Sequence, residues 1–168
     1  LEGDLVTDHR RQIPVTVLVV AKAPVPGLAK TRLAATLGDD AAADIAAAAL
    51  LDTLDAVAAT PVETRVVAMT GDLDNACRSA AIRDRLDTFT VIDQRGDDFA
   101  ARLANAHADA AVFGRPVLQI GMDTPQVTAD LIAECAQALL GNDGVLGMAH
   151  DGGWWVLGVT NAAMADCL

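Results

Sequence analysis

The patterned part of the chain begins with VTVLVVAKAP, where residues Val15 to Val20 form an almost unbroken β-branched run. Such a run suits a strand buried on both faces of a parallel sheet. The stretch GDDAAADIAAAALLDTLDAVAAT then changes period. Ala47, Leu50, Leu51, Leu54 and Ala58 recur at helical spacing on one face. Asp39 or Asp40 is the expected N-cap, and Pro61 the stop. TRVVAMT (64–70) reads as a second strand, DNACRSAAIRDRL (74–86) as a helix, and TFTVID (88–93) as a third strand. In DDFAARLANAHADAAVFG an amphipathic helix places Phe99, Leu103, Ala106 and Ala110 on one stripe. PVLQIGMDTP is a fourth strand running into a loop. TADLIAECAQALLG is a helix capped by Thr128 and closed by Gly141, and GVLGMAHDGGWWVLGV is two strands joined by a turn.

Strand and helix alternate through most of the length. This predicts an α/β fold, a three-layer α/β/α sandwich around a mostly parallel sheet. Residues 15–168 are expected to form one domain, since 168 residues with 52% hydrophobic content bury a single full core. Residues 1–14 read as a polar leader outside it, opening on LEG rather than Met in the manner of a tag remnant. No run reaches the roughly 20 apolar residues of a membrane span. Three cysteines, odd in number and without a CxxC pair, fit a reducing, cytoplasmic setting.

Charge sharpens the picture. A formal net charge of -11 disfavours nucleic acid and anionic membrane surfaces as partners. Against that background the only two lysines, Lys22 and Lys30, sit with Arg32 in AKAPVPGLAKTR, directly after the first strand. Pro24 and Pro26 stiffen this loop and Gly27 permits a turn. A small basic island of this kind suits one diphosphate. GLAKT is not a P-loop, because Ala29 precedes Lys30 and the upstream glycine is absent.

In open α/β sheets, ligands sit beyond the carboxyl ends of the strands. Two further loops fall there. GMDTP ends the fourth strand and offers Asp123, and AHDGG follows the fifth and offers Asp151, with Gly152 and Gly153 leaving room for a ligand. Either aspartate alone fits an ordinary turn. Together they could hold a hard cation, Mg2+ or Mn2+, which takes one or two carboxylates plus phosphate oxygens. His150 is a candidate ligand or acid/base. Trp154 and Trp155 alternate, so one faces the core and the other is free to line a pocket.

AKAPVPGLAKTRL, GMDTP and DGGWWVLGV, in this order, resemble the motifs of a bacterial glycosyltransferase-A-like family of unknown function, distantly similar to the molybdenum-cofactor and phospholactate guanylyltransferases. The resemblance runs from about Val15 to about Val159. It implies a nucleotide-diphospho-sugar transferase fold that binds a nucleoside diphosphate through a divalent metal. Carried over, Lys22, Lys30 and Arg32 with Pro24 and Gly27 would bind phosphate, as would Gly152 and Gly153, and Asp123 and Asp151 would hold the metal. Departures are Met122 in place of a small hydroxyl residue, His150 in place of an acid, tryptophans for tyrosines, and Arg95 and Asp97 within QRGDDFAARL. Enzymes of this fold usually continue with segments that build an acceptor site, whereas this chain stops soon after the last motif, so the expected domain lacks a C-terminal acceptor segment. No residue stands out as the acceptor's base.

The resulting expectation is a transferase using a nucleotide-activated donor, a glycosyltransferase acting on a nucleoside diphosphate sugar. A nucleotidyltransferase that takes a nucleoside triphosphate and releases pyrophosphate, and a non-catalytic nucleotide-binding domain, are the alternatives.

Overall fold

The computed structural model describes residues 12–167. Most of the expected leader, residues 1–11, lies outside the described residues, as does Leu168. Strand β1 spans Ile13–Lys22, β2 Val62–Thr70, β3 Thr90–Asp93, β4 Val117–Gly121, β5 Gly144–Met148 and β6 Trp154–Val159. Helices are α1 (Thr31–Leu37), α2 (Asp39–Ala59), α3 (Ser79–Leu86), α4 (Phe99–Ala110) and α5 (Ala129–Leu140). The strands form one sheet in the order β3-β2-β1-β4-β6-β5. β1 pairs in parallel with both β2 and β4, and β2 with β3. β6 runs antiparallel between β4 and β5.

The β-branched run of β1 is buried on both faces, as its position at the sheet centre demands. Val15, Val17 and Val19 face a core built with Leu50, Leu54 and Val57 of α2, Ile82 of α3 and Ile132, Ala136 and Leu139 of α5. Leu18 faces the other way, toward Val66, Ala68 and Ala106 and Ala110 of α4. Helices therefore cover both sides, and the three-layer sandwich holds. Each fully buried leucine or valine in these layers contributes about 1.5–3 kcal/mol relative to exposure. Thr128 caps α5 as expected, its hydroxyl accepting from Leu131 N at 3.2 Å.

Several local expectations need correction. β1 begins at Ile13, before the Val15 boundary, and its register with β2 shifts between Ile13 and Thr16. Pro14 lies in that interval and has no N–H for the ladder. The cap of α2 is Gly38, so Asp39 and Asp40 fall in its first turn, where their charge favours the helix dipole. Ala58 is exposed and Val57 buried in its place. The helix expected over 74–86 is broken into a 3-10 turn, Leu73–Asn75, and α3, with Arg78 between them in left-handed conformation (φ 54°). Phe99 leaves the α4 stripe and stands 62% exposed. His107, fully buried, takes up core space on that helix instead.

Candidate functional site at the carboxyl rim

β1, β4 and β5 point the same way, so the three singled-out loops all leave the same rim of the sheet. The loop after β1 is rigid for reasons readable in its bonds. Gly27 (φ 80°) turns the chain so that Val25 O accepts from both Leu28 N (3.0 Å) and Ala29 N (3.1 Å). Pro24 is buried, and its carbonyl accepts from Cys77 N at 3.0 Å. Lys22 Nζ donates to Leu28 O at 2.9 Å and so braces the loop across its width. Lys30 sits in left-handed conformation (φ 49°) before α1, and its Nζ donates to Asp123 Oδ2 at 2.7 Å. The first and second motifs, 93 residues apart in sequence, thus meet in an ion pair.

The GMDTP loop is fixed from both sides. Lys22 N donates to Met122 Sδ at 3.1 Å, and the Thr53 hydroxyl of α2, which donates to Ala49 O at 2.9 Å, lies 3.3 Å from Met122 O. Met122, an oddity in the sequence, is therefore a structural joint between β1, β4 and α2.

Two cavities share Lys22 and Met122. One, of about 300 Å³, is lined by Lys22, Leu28, Ala29, Lys30, Ala46, Met122 and Asp123. The other, of about 420 Å³, is lined by Val20, Lys22, Thr70, Gln94, Phe99 and Arg102 together with Ala21, Gly71 and Met122. No carboxylate lines the larger cavity. Gln94 Nε2 donates to Ala21 O at 2.7 Å and Ala68 O at 2.9 Å, tying the ends of β1 and β2 together beneath it. Arg102 Nε is buried without a partner among the described residues. Sequence reasoning missed Gln94 and Arg102. Attention fell on Arg95 and Asp97 in the same stretch, whereas Arg95 turns away to a two-point ion pair with Asp109 (2.6 and 3.1 Å).

The other candidates lie further out. Arg32, in the first turn of α1, is exposed and lines neither cavity. Asp151 Oδ1 accepts from Gly153 N at 3.0 Å, closing a turn that Gly152 (φ 90°) completes between β5 and β6. That turn belongs to the same rim, one strand beyond Asp123, yet Asp151, Gly152 and Gly153 line neither cavity. His150 is exposed. Trp155 packs on the core and Trp154 points outward, lining neither cavity. Among the described residues no group of three or more His, Cys, Asp or Glu could hold a metal ion. Cys77, Cys135 and Cys167 are free thiols. No helix in the described residues is long and apolar enough to cross a membrane.

Residues 53–168 match the family model described as an uncharacterized protein conserved in bacteria, DUF2064. The chain belongs to the DUF2064 family. No curated protein matches this DUF2064 chain in sequence. Among solved structures it is similar to a provisionally named nucleotide-diphospho-sugar transferase from Desulfovibrio desulfuricans G20. The TM-score is 0.77 at 24% identity, over 92% of this chain and 68% of that one. A cytidylyltransferase from Leptospira borgpetersenii aligns with TM-score 0.60 at 13% identity, over 93% of this chain and 63% of its own. Rv0371c from Mycobacterium tuberculosis H37Rv, solved in complex with manganese, aligns with TM-score 0.57 at 16% identity, over 94% and 77%. The DUF2064 chain thus has the nucleotide-diphospho-sugar transferase fold, and it spans about two thirds of the length of the first two structures.

Proposed function

We propose that this DUF2064 domain binds a nucleotide by its diphosphate at the carboxyl rim of β1 and β4 and serves transfer of the group so activated, most simply a sugar from a nucleoside diphosphate sugar. The observation that carries this reading is the meeting of Lys22, Lys30 and Asp123 around one cavity on an acidic protein. The fold similarity to a nucleotide-diphospho-sugar transferase supports it.

The donor set fits a divalent cation that arrives with phosphate. Asp123 is exposed, and only its Oδ2 is engaged among the described bonds. Mg2+ and Mn2+ are commonly held by one or two carboxylates, with phosphate oxygens and water filling the remaining positions. Asp123 would hold the ion, with Asp151 as the second carboxylate from the neighbouring turn. When bound, such an ion supplies neutralisation of charge that develops on the leaving diphosphate. Lys30 binds phosphate from the opposite side, and Lys22 keeps the loop in shape through Leu28 O. Arg32 and the Gly152–Gly153 turn extend the same rim. The larger cavity is the place for the nucleoside, with Phe99 offering a flat apolar face and Arg102 a donor.

The test is thermal melting with UDP, GDP and their sugars, each with Mn2+ or with EDTA. A ligand at 100 times its Kd stabilises by about 2.7 kcal/mol. Metal-dependent stabilisation by any of them is the expected result, and no shift with every nucleotide would reject the reading. The cytidylyltransferase neighbour keeps nucleotidyl transfer as the second reading. Product analysis separates the two: free nucleoside diphosphate from a nucleotide sugar, or pyrophosphate from a triphosphate.

A further inference from the structure

We infer that Lys30 is a latch on Asp123, an ammonium that occupies the metal-binding carboxylate until a phosphate group draws it away, so that cation and diphosphate enter as one unit. The inference rests on the nucleotide-binding reading and deepens it. Its basis is the 2.7 Å contact between Lys30 Nζ and Asp123 Oδ2, with both side chains lining one cavity. Asp123 Oδ1 is not engaged among the described residues, but the ammonium on Oδ2 already pairs the carboxylate's single negative charge, and a divalent cation approaching Oδ1 would be repelled by it.

Three features make Lys30 the movable partner. The side chains of Lys30 and Asp123 are 36% and 53% exposed, so their pair is weak and readily exchanged. Lys22, the other lysine of the cavity, is bound to Leu28 O and stays with its loop. The α1 segment that follows Lys30 buries none of its residues, so little packing resists a shift there. Asp123 itself sits beside Met122, whose sulfur accepts from Lys22 N and whose carbonyl lies against Thr53. The lysine moves and the aspartate remains.

The latch has a chemical consequence. Free cation is discouraged while Lys30 holds Asp123, whereas a diphosphate would pair with Lys30 and leave Asp123 to hold the cation. The site selects the cation–diphosphate pair over either component.

The test titrates Mn2+ alone, followed by its electron paramagnetic resonance signal, into wild type, Lys30→Met, Asp123→Asn and the double variant. Lys30→Met is expected to bind Mn2+ alone about fivefold or more tighter than wild type, from removal of one adjacent positive charge. The double variant is expected to lose that gain. Melting temperature confirms that each variant is folded. Unchanged or weaker Mn2+ binding by Lys30→Met overturns the latch. A parallel titration with UDP present separates this failure from that of the underlying reading. Mn2+ binding with UDP that Asp123→Asn abolishes, while Lys30→Met leaves Mn2+ alone unaffected, rejects the latch and keeps the metal site. Absence of Mn2+ binding in every arm rejects both.

Discussion

Gly96 lies in the QRGDD loop between β3 and α4, at φ 139°, a backbone region that side chains with a Cβ rarely adopt. A Cβ built there would stand 2.8 Å from Arg102 N, 2.9 Å from Ala101 C and 2.9 Å from Ala101 Cβ. Two of these atoms are backbone of the first turns of α4 and cannot rotate aside. Gly96→Ala therefore combines backbone strain of about 1–3 kcal/mol with an overpacking cost of about 1–3 kcal/mol, or about 2–6 kcal/mol if the two add. For a domain of this size each kcal/mol lowers Tm by about 2–4 °C. The loop cannot drift freely to escape. Arg95 is clamped to Asp109, and Arg95 O accepts from Asn105 Nδ2 at 2.8 Å. Relief must come from α4, whose first turns carry Phe99 and Arg102 into the larger cavity. The variant should melt well below wild type and bind nucleoside diphosphates more weakly at temperatures where it is folded. Differential scanning calorimetry and isothermal titration at 15 °C read the two effects. A Tm within about 1 °C of wild type with unaltered nucleotide affinity would refute the reasoning.

Asp123→Asn should abolish the dependence of nucleotide binding on Mn2+ without unfolding the domain, because Asp123 is exposed and its pair with Lys30 contributes at most about 1 kcal/mol; titration with and without EDTA checks it. Burial lowers the pKa of His107 from its ordinary 6.5, more strongly than its contact with Gln119 raises it. The folded state thus takes up a proton at His107 less readily than the unfolded chain, which does so below about pH 6.5. Stability should be full above that pH and fall as pH drops through it, and the slope of Tm between pH 7.5 and 5.5 should flatten in His107→Gln. Leu54→Ala, at a fully buried site of α2, should cost about 2–5 kcal/mol in urea unfolding, as a core cavity does.

The layer architecture was legible because each buried strand and amphipathic helix announces its own period. Val15 to Val20 reads as a central strand, and the Asp-Gly-Gly turn between two apolar runs reads as a hairpin. The cationic loop was legible by contrast, as the only lysines on an acidic chain. Side-chain partnership across long separations was not. Nothing in the sequence says that Lys30 pairs with Asp123, that Met122 receives the Lys22 amide, or that Gln94 reaches over β2 to Ala21. These bonds depend on strand order, which places the ends of β3, β2, β1 and β4 side by side. Phe99 misled for a related reason. It has the helical phase of Leu103 and Ala106 but lies at the first position of α4, where the stripe overhangs the rim and meets a cavity instead of the sheet. His107 was hidden because one buried polar side chain looks like any surface residue of an amphipathic helix.

The central claim, that a diphosphate settles between the loop after β1 and the loop after β4, is tested most directly by amide chemical-shift mapping. A 15N-labelled sample titrated with UDP and Mg2+ should show its largest changes at residues 22–32 and 121–125, with weaker ones at 94–102. Shifts concentrated on α5 or on the outer edge of β5, with residues 22–32 unmoved, would contradict it.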